Sequence, residues 1–564
     1  MAGDETTDVL VVGAGPTGLA LACGLRLQGV GVRVVDRMPA PAMTSRANFV
    51  HVRGSEVLDR LGALGDLPER SVRAMRITTY LGDRPMMRIL FGDPGLRTAA
   101  PPMVVSQALV EGELRRRLAE LGVTPEWGLG LAALVQDADG VRAELDDGRT
   151  VRARWLVGCD GTRSVVRGAV GIDAPGVRLS ERFLLADLRL DWDVDRTGTS
   201  GWVHPAGMLG AMPMPDAEGR ADLWRLIAYD PESAALEAPA GVGADDAGPD
   251  GAGPNGAGPD GAGPRAADAY GRSSRQTEGQ ILDRFRAILP DRSGHEVRVL
   301  GSEWLSEFTI HRRLADRYRS GRVFIAGDAA HAHAPFGGQG MLTGLGDAEN
   351  LAWKLALVAR GRASDALLDT YETERRPLAT DVLRGTANVT RINVARSTVG
   401  RFLRDQVLIR LFNQPWVQRW ATFTTSQLWV SYRTGPLGAR PAERMAARIG
   451  RRTCVGDRVP NLDCARPDGS GTHLHSELGG RWALLVPPSG TGNPGAGDPA
   501  AEDPAAGAAA EPAAAGVEPT RLTRADGVPE AWLVRPDGHL AWRGPDPAQA
   551  APWLDELLRA GRAR

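Results

Sequence analysis

The chain is 564 residues long with a formal net charge of −2, and 43% of its residues are hydrophobic. That length exceeds what one core organises, so roughly two or three domains are expected. Near-neutral charge leaves no electrostatic footprint for nucleic acid, and no apolar run is long enough to span a bilayer. The four cysteines, Cys23, Cys159, Cys454 and Cys464, include no CxxC pair and no metal-ligand spacing, which points to reduced structural thiols. Among 67 lysines and arginines only Lys354 is lysine, the mark of GC-rich coding, so no arginine run is read by itself as a phosphate site.

The first element is the apolar run Val9 to Val12, which enters Gly13-Ala14-Gly15-Pro16-Thr17-Gly18 and continues into the helical pattern Leu19 to Leu27. Gly13 permits the tight turn, Gly15 lets backbone approach a pyrophosphate, and Gly18 lets helix and strand pack closely. The helix start offers its free N–H groups to the phosphates. A second strand, Val32 to Val35, ends at Asp36, the acid that the dinucleotide fingerprint requires about 20 residues on to bind a ribose. Asp4, Glu5 and Asp8 stand where a targeting signal would carry a basic leader, so the cytoplasm is the expected compartment.

Farther along, Arg46 to Asn48 reads as a loop, His51 to Leu61 as a helix and Ser106 to Leu121 as an amphipathic helix. Val141 to Val157 reads as a β-hairpin turning at Asp146-Asp147-Gly148. The strand Trp155 to Gly158 leads into Cys159-Asp160-Gly161-Thr162-Arg163. Phe183 to Tyr229 alternates short apolar segments with turn residues, the pattern of an antiparallel sheet suited to walling a substrate pocket. Residues 237–278 drift into an Ala-Gly-Pro-Asp/Asn-Gly repeat, and residues 487–519 are mostly Ala, Gly, Pro and acid. Both are expected to be disordered inserts, because neither can build a core. A helical region from about Ala366 to Ile449 carries Phe402, Phe412, Trp416, Trp420, Phe423 and Trp429, read as core or subunit contacts.

The richest stretch is Val323 to Lys354. Its strand Val323 to Ile325 enters Ala326-Gly327-Asp328-Ala329-Ala330-His331, and the glycine-rich Pro335 to Gly340 opens a helix. His331 and His333 sit two apart without a further ligand cluster, so no metal is expected there.

The GxGxxG loop, the Cys159-Asp160-Gly161 motif and the Gly327-Asp328 motif resemble, in this order, the three fingerprints of the group A FAD-dependent aromatic hydroxylases. These are flavoprotein monooxygenases of the para-hydroxybenzoate hydroxylase fold, and the resemblance runs from Thr7 to about Arg396. It implies an α/β chain: a Rossmann-like FAD-binding domain with an inserted antiparallel β-sheet substrate domain. The tail segments Gly456 to Pro460, Trp482 to Val486, Trp532 to Gly538 and Leu540 to Arg543 resemble the C-terminal thioredoxin-like domain of the larger, polyketide-hydroxylating members. Without CxxC the tail cannot run dithiol exchange, leaving a structural or dimerisation role. The implied boundaries are 1–74, 103–178 and 301–395 for the FAD-binding domain and 75–102 and 179–300 for the substrate domain. Residues 396–449 form a helical linker, and 450–564 the tail.

By position, the resemblance assigns FAD contacts to Gly13, Gly15, Pro16, Thr17, Gly18, Asp36 and Arg37, to Arg46 at the phosphates, and to Gln107, Gly327 and the ribitol-binding Asp328. Asp160 is implied in FAD support and reductant binding, with a purely structural strand-to-helix turn as the alternative. Pro335, Gly337, Gly338 and Gly340 form the flavin-facing catalytic loop, followed by Met341 and Leu342. Reduced flavin is negative at its pyrimidine edge, and a helix beginning near Gly340 would aim roughly half a unit of positive dipole charge at it. The glycines let backbone lie against the ring. Where the family reads Gly-Met-Asn-Thr-Gly, this chain has Gly340-Met341-Leu342-Thr343-Gly344, which removes an amide beside the flavin.

The implied reaction uses NADPH or NADH as a transient reductant of FAD. O2 then adds at the flavin C4a carbon, and the hydroperoxide hydroxylates a small aromatic substrate, expected to be a polycyclic polyketide. The alternatives are the same flavin chemistry giving Baeyer-Villiger oxidation, epoxidation or oxidative rearrangement, and a flavin-binding protein without turnover. No base for a phenol is legible; His204, Tyr229 and His51 are the candidates, each with a structural alternative. Neither nucleic acid nor membrane is an expected partner, and a homodimer is allowed.

Overall fold

The computed structural model describes residues 5–42, 47–72, 76–90, 97–98, 101–216, 218–230, 276–332, 338–393, 414–450, 452–488 and 516–560. Its contacts divide the chain into two units, one of Met1–Arg76, Arg88–Val177 and His311–Arg564, the other of Ile77–Met87 and Arg178–Ile310. The helices used below are α1 (Pro16–Leu27), α2 (Val52–Leu61), α3 (Gln107–Glu120), α4 (Val165–Ala169), α5 (Glu278–Ser293), α6 (Gln339–Ala359), α7 (Ala366–Asn393) and α8 (Pro415–Thr425).

In the first unit the strands Val323–Ile325, Thr150–Gly158, Glu5–Val12, Val32–Asp36 and Glu126–Trp127 lie side by side and parallel. Val9, Leu10 and Val11 are fully buried, as an apolar strand of a parallel sheet covered on both faces should be. Val12 is in register with both Gly158 and Val35, and Gly158 with Ile325. The loops that follow these strands therefore leave the sheet at one carboxyl edge, where α/β sheets bind ligands. The expected hairpin is present as Val141–Leu145 against Thr150–Gly158, with buried and exposed residues alternating along its first strand. α1 crosses α6 closely because both are small at the contact: a Cβ on Gly24 would sit 2.8 Å from that of Ala352.

The tail belongs to the same unit. It is a mixed sheet in the order Gly471–His473, Asp463–Ala465, Thr520–Arg524, Ala483–Val486, Ala531–Val534, Leu540–Gly544. Trp482, Leu533, Ala541, Leu554 and Leu557 join the same core as the parallel sheet. All four cysteines are free thiols.

In the second unit the strands run in the order Val297–Leu314, Gly176–Trp192, Leu223–Tyr229, Gly207–Pro213, Thr199–His204, Arg76–Leu81, Arg84–Leu90. Leu184, Ala186, Leu226, Leu209 and Trp202 on one face pack with Ile281, Phe285, Ile288 and Leu289 of α5.

Four expectations are corrected, the last of them in part. Thr277 and Glu278, placed at the end of the first insert, are the N-cap and first residue of α5, with Thr277 forming a capping box with Gln280. Val517, placed in the second insert, is buried in the main core; the rest of both inserts, 237–275 and 489–515, lies outside the described residues. The linker is not helical between Gln427 and Arg440, where Pro436, two glycines and a left-handed Gln427 interrupt it. Trp416 and Trp420 are each 60% exposed and Phe423 40%, so these aromatics of α8 are not core; Phe402 and Phe412 lie outside the described residues. Among the described residues no helix is long and apolar enough to cross a membrane.

Candidate active site

The aligned strand ends bring the three sequence motifs onto one another. Gly13 has φ +109°, and a Cβ there would sit 2.4 Å from the carbonyl oxygen of Cys159. A Cβ on Gly18 would fall 1.9 Å from the Gly13 oxygen and 3.2 Å from Cys159 Cβ. On the other side of the loop, a Cβ on Gly327 or on Gly344 of α6 would lie 2.5 or 2.3 Å from Thr17 Oγ1. Thr17 is thus where the first motif meets the third and α6, while Cys159 ties the second motif to the first.

Around this contact the backbone is left open. An added Cβ at Gly15, Gly161 or Gly340 would meet nothing within 4 Å. α1 starts at Gly15 and α6 at Gly338, and neither start has a side-chain cap, so both present N–H groups that the helices themselves cannot satisfy. Gly338 takes the left-handed φ of +64°, and a Cβ there would strike Phe49 Cβ at 2.7 Å.

The acids at the edge have distinct environments. Asp36 accepts from Ala14 N at 2.7 Å and from Met38 N at 2.8 Å, so its carboxylate also pins the glycine loop; Arg37 beside it is exposed. Asp328 is exposed between buried Gly327 and Ala329. Asp160 accepts from Ser164 Oγ at 2.5 Å and from Val165 and Val166 N at 2.7 and 3.1 Å, which caps α4; burial raises its carboxyl against these bonds. The side chain is thus engaged as the structural alternative describes.

Gln107 is the first residue of α3; its N donates to Ala47 O at 3.0 Å and its Nε2 to Glu111 Oε1 at 2.7 Å. Burial raises the Glu111 carboxyl to about 7, with the charge of Asp36 adding to the rise and Gln107 and Arg115 opposing it. Met341 and Leu342 are buried, and Leu342 Cδ1 lies 3.4 Å from where a Cβ of Gly54 would be. The leucine that replaces the family's amide is therefore committed to packing on α2. Arg46, His333, Pro335 and Gly337 lie outside the described residues.

The two substrate candidates of the second unit lie on opposite faces of its sheet. His204 shares the α5 side of its sheet with Trp202, and its Nδ1 is 3.9 Å from Asp291 of that helix. Tyr229 is on the opposite face, its ring 5.3 Å from that of Phe183. His51 is the N-cap residue of α2, 2% exposed, and its ring stacks on Phe49 at 6.1 Å.

A buried polar cluster behind the edge went unread. His331 Nε2 lies 2.6 Å from Asp347 Oδ2, which also accepts from Gly327 N at 3.1 Å. Arg375 donates to Asp347 Oδ1 at 2.7 Å. The available signal was the spacing of Asp347, Asn350 and Lys354, polar residues at i, i+3, i+7 on one face of a mostly apolar helix.

Two open helix starts, acids at the strand ends and glycines where a side chain would intrude fit the phosphates and hydroxyls of a dinucleotide such as FAD. The fold and site thus define a dinucleotide-binding α/β flavoprotein.

Residues 6–239 and 264–386 match the family model of the FAD binding domain, and residues 452–561 that of the aromatic-ring hydroxylase C-terminal domain. The chain belongs to the FAD-dependent aromatic-ring hydroxylases. It is 33% identical over 577 aligned residues, covering 98% of each chain, to the 12-dehydrotetracycline 5-monooxygenase/anhydrotetracycline 6-monooxygenase of Streptomyces rimosus subsp. rimosus. With the 6-methylpretetramide 4-monooxygenase of Streptomyces rimosus it shares 38% identity over 69% of its own length and 63% of that protein's. The solved structure of the OxyS anhydrotetracycline hydroxylase from Streptomyces rimosus superposes with a TM-score of 0.71 at 30% identity, covering 99% of this chain and 100% of that one.

Proposed function

We propose that this chain is a cytoplasmic monooxygenase that uses FAD, NAD(P)H and O2 to hydroxylate a polycyclic aromatic polyketide. The observation that carries the reading is the likeness, over 98% of each chain and tail included, to a relative named as a 12-dehydrotetracycline and anhydrotetracycline monooxygenase. Bound FAD would supply electron transfer from NAD(P)H and activation of O2.

The protein's part is to bind, orient and exclude water. Asp36 and Asp328 hold the hydroxyl-bearing parts of the cofactor, and the uncapped start of α6 favours negative charge on the flavin. In the second unit, Leu185, Ile227 and Tyr229 lie on the sheet face away from α5, together with the cross-strand pair Asp187–Arg225 at 2.6 and 2.7 Å. We assign this mainly apolar face as the substrate wall.

The test is NADPH oxidation by the purified flavoprotein with a panel of polycyclic phenols. Stimulation by one of them with a product one oxygen heavier is expected. Flavin-bound protein that none of them stimulates would contradict the substrate class, and a lactone or ring-opened product would replace hydroxylation with Baeyer-Villiger chemistry.

A further inference from the structure

A continuous buried path leads from the tail to the Gly327-Asp328 turn. It starts at the turn Arg535-Pro536-Asp537-Gly538-His539, whose Arg535, Asp537 and His539 are at most 1% exposed. Asp537 Oδ2 accepts from Asn350 Nδ2 at 3.4 Å and Trp353 Nε1 at 3.3 Å, both on α6. Arg535 donates to both oxygens of Glu374 on α7, at 2.8 and 2.9 Å. The His539 ring rests on Tyr432 with centroids 4.3 Å apart.

From Tyr432 the path turns inward. Arg375 donates to the Tyr432 hydroxyl at 3.0 Å, to Asp347 Oδ1 at 2.7 Å and to Thr343 O at 2.9 Å. Asp347 then holds Gly327 N. Each of the three guanidinium nitrogens of Arg375 donates to a different partner, so the rigid plane cannot follow a displaced Tyr432 without loosening α6 or Asp347. Because the path is buried, each broken link leaves a polar group without water.

We propose that the Arg535–His539 turn is a positioning element of the flavin site, acting through Tyr432, Arg375 and Asp347 on the Gly327-Asp328 turn. This gives the tail, which carries no dithiol, a role in cofactor binding. The inference rests on the placement of FAD at Asp328.

The test titrates FAD into apoprotein and records the bound flavin's visible spectrum for Tyr432→Phe, Asp537→Asn and Asp328→Ala. Tyr432→Phe removes one hydrogen bond and should raise the Kd for FAD roughly three- to tenfold, with a shifted flavin band. Asp537→Asn should act in the same direction; where it fails to fold, Tyr432→Phe decides. A tail that only stabilises the fold would lower the apoprotein's Tm and leave Kd and spectrum unchanged. That result, with FAD lost from Asp328→Ala, overturns the proposal alone, whereas full affinity in all three variants overturns the FAD placement beneath it.

Discussion

The glycine edge of the parallel sheet and the joint between tail and α6 lie in one unit and are built on opposite plans. At the edge, backbone is left open: two helix starts without side-chain caps and space at Gly15 and Gly340. At the joint, charges are closed on each other. Arg60 holds both oxygens of Glu349 at 2.6 and 2.9 Å, Arg458 pairs with Glu56, and Glu374 takes both Arg535 and Lys354. The joint nevertheless holds strongly shifted groups: burial lowers His475 to about 3, and Glu374 is lowered to about 2 because Arg535 and Lys354 outweigh a burial that by itself would raise it. A shifted pKa therefore marks a saturated structural contact here, and openness is the better guide to the ligand site.

Breaking the joint should give the largest change in stability. Glu374→Ala leaves Lys354 buried without its carboxylate partner and Arg535 with Asp537 alone, and is expected to cost about 3–5 kcal/mol in urea denaturation of the apoprotein. A loss within experimental error would show that water reaches the joint. At the edge, Gly18→Ala puts a methyl 1.9 Å from the Gly13 oxygen, so the purified protein should come without flavin; a yellow, fully loaded variant would show that the loop can reshape.

The two regions should also answer pH in opposite directions. Burial holds His475 neutral to about 3 against an ordinary 6.5, so its contribution is complete above 6.5 and is lost as pH falls towards 3. Glu111 is raised to about 7 from 4.5 by burial, so its contribution is complete below 4.5 and is lost as pH rises to 7. Apoprotein Tm for Glu111→Gln should therefore exceed that of the parent at pH 8 and match it at pH 4. Equal gains at both values would mean that its charge is not the cause. The smallest effect is expected from Gly15→Ala, which meets no atom within 4 Å: apoprotein stability within about 0.5 kcal/mol of the parent, with weakened FAD binding.

The same contrast explains what the sequence disclosed. Gly13, Gly18 and Gly327 are needed because backbone or Thr17 fills the place of a side chain, and that steric demand is written in the residue itself. The parallel strands and the Val141–Val157 hairpin were likewise legible from local pattern. The joint was not, since Arg535 and Glu374 are far apart in the chain and, among 67 basic residues, one paired arginine looks like any other. Lys354, read only as evidence of coding bias, is fully buried between Asn350 and Glu374 at 2.8 Å from each. For the aromatics of α8 only the core half of the reading is overturned, because composition cannot tell which face of a helix is covered.

On the proposed function, this site delivers one atom of O2 to an aromatic ring. Turnover under isotopically labelled O2, with the product's mass read directly, tests it most directly. One labelled oxygen per product molecule is the predicted result; label found only in hydrogen peroxide, or product oxygen drawn from water, would contradict it.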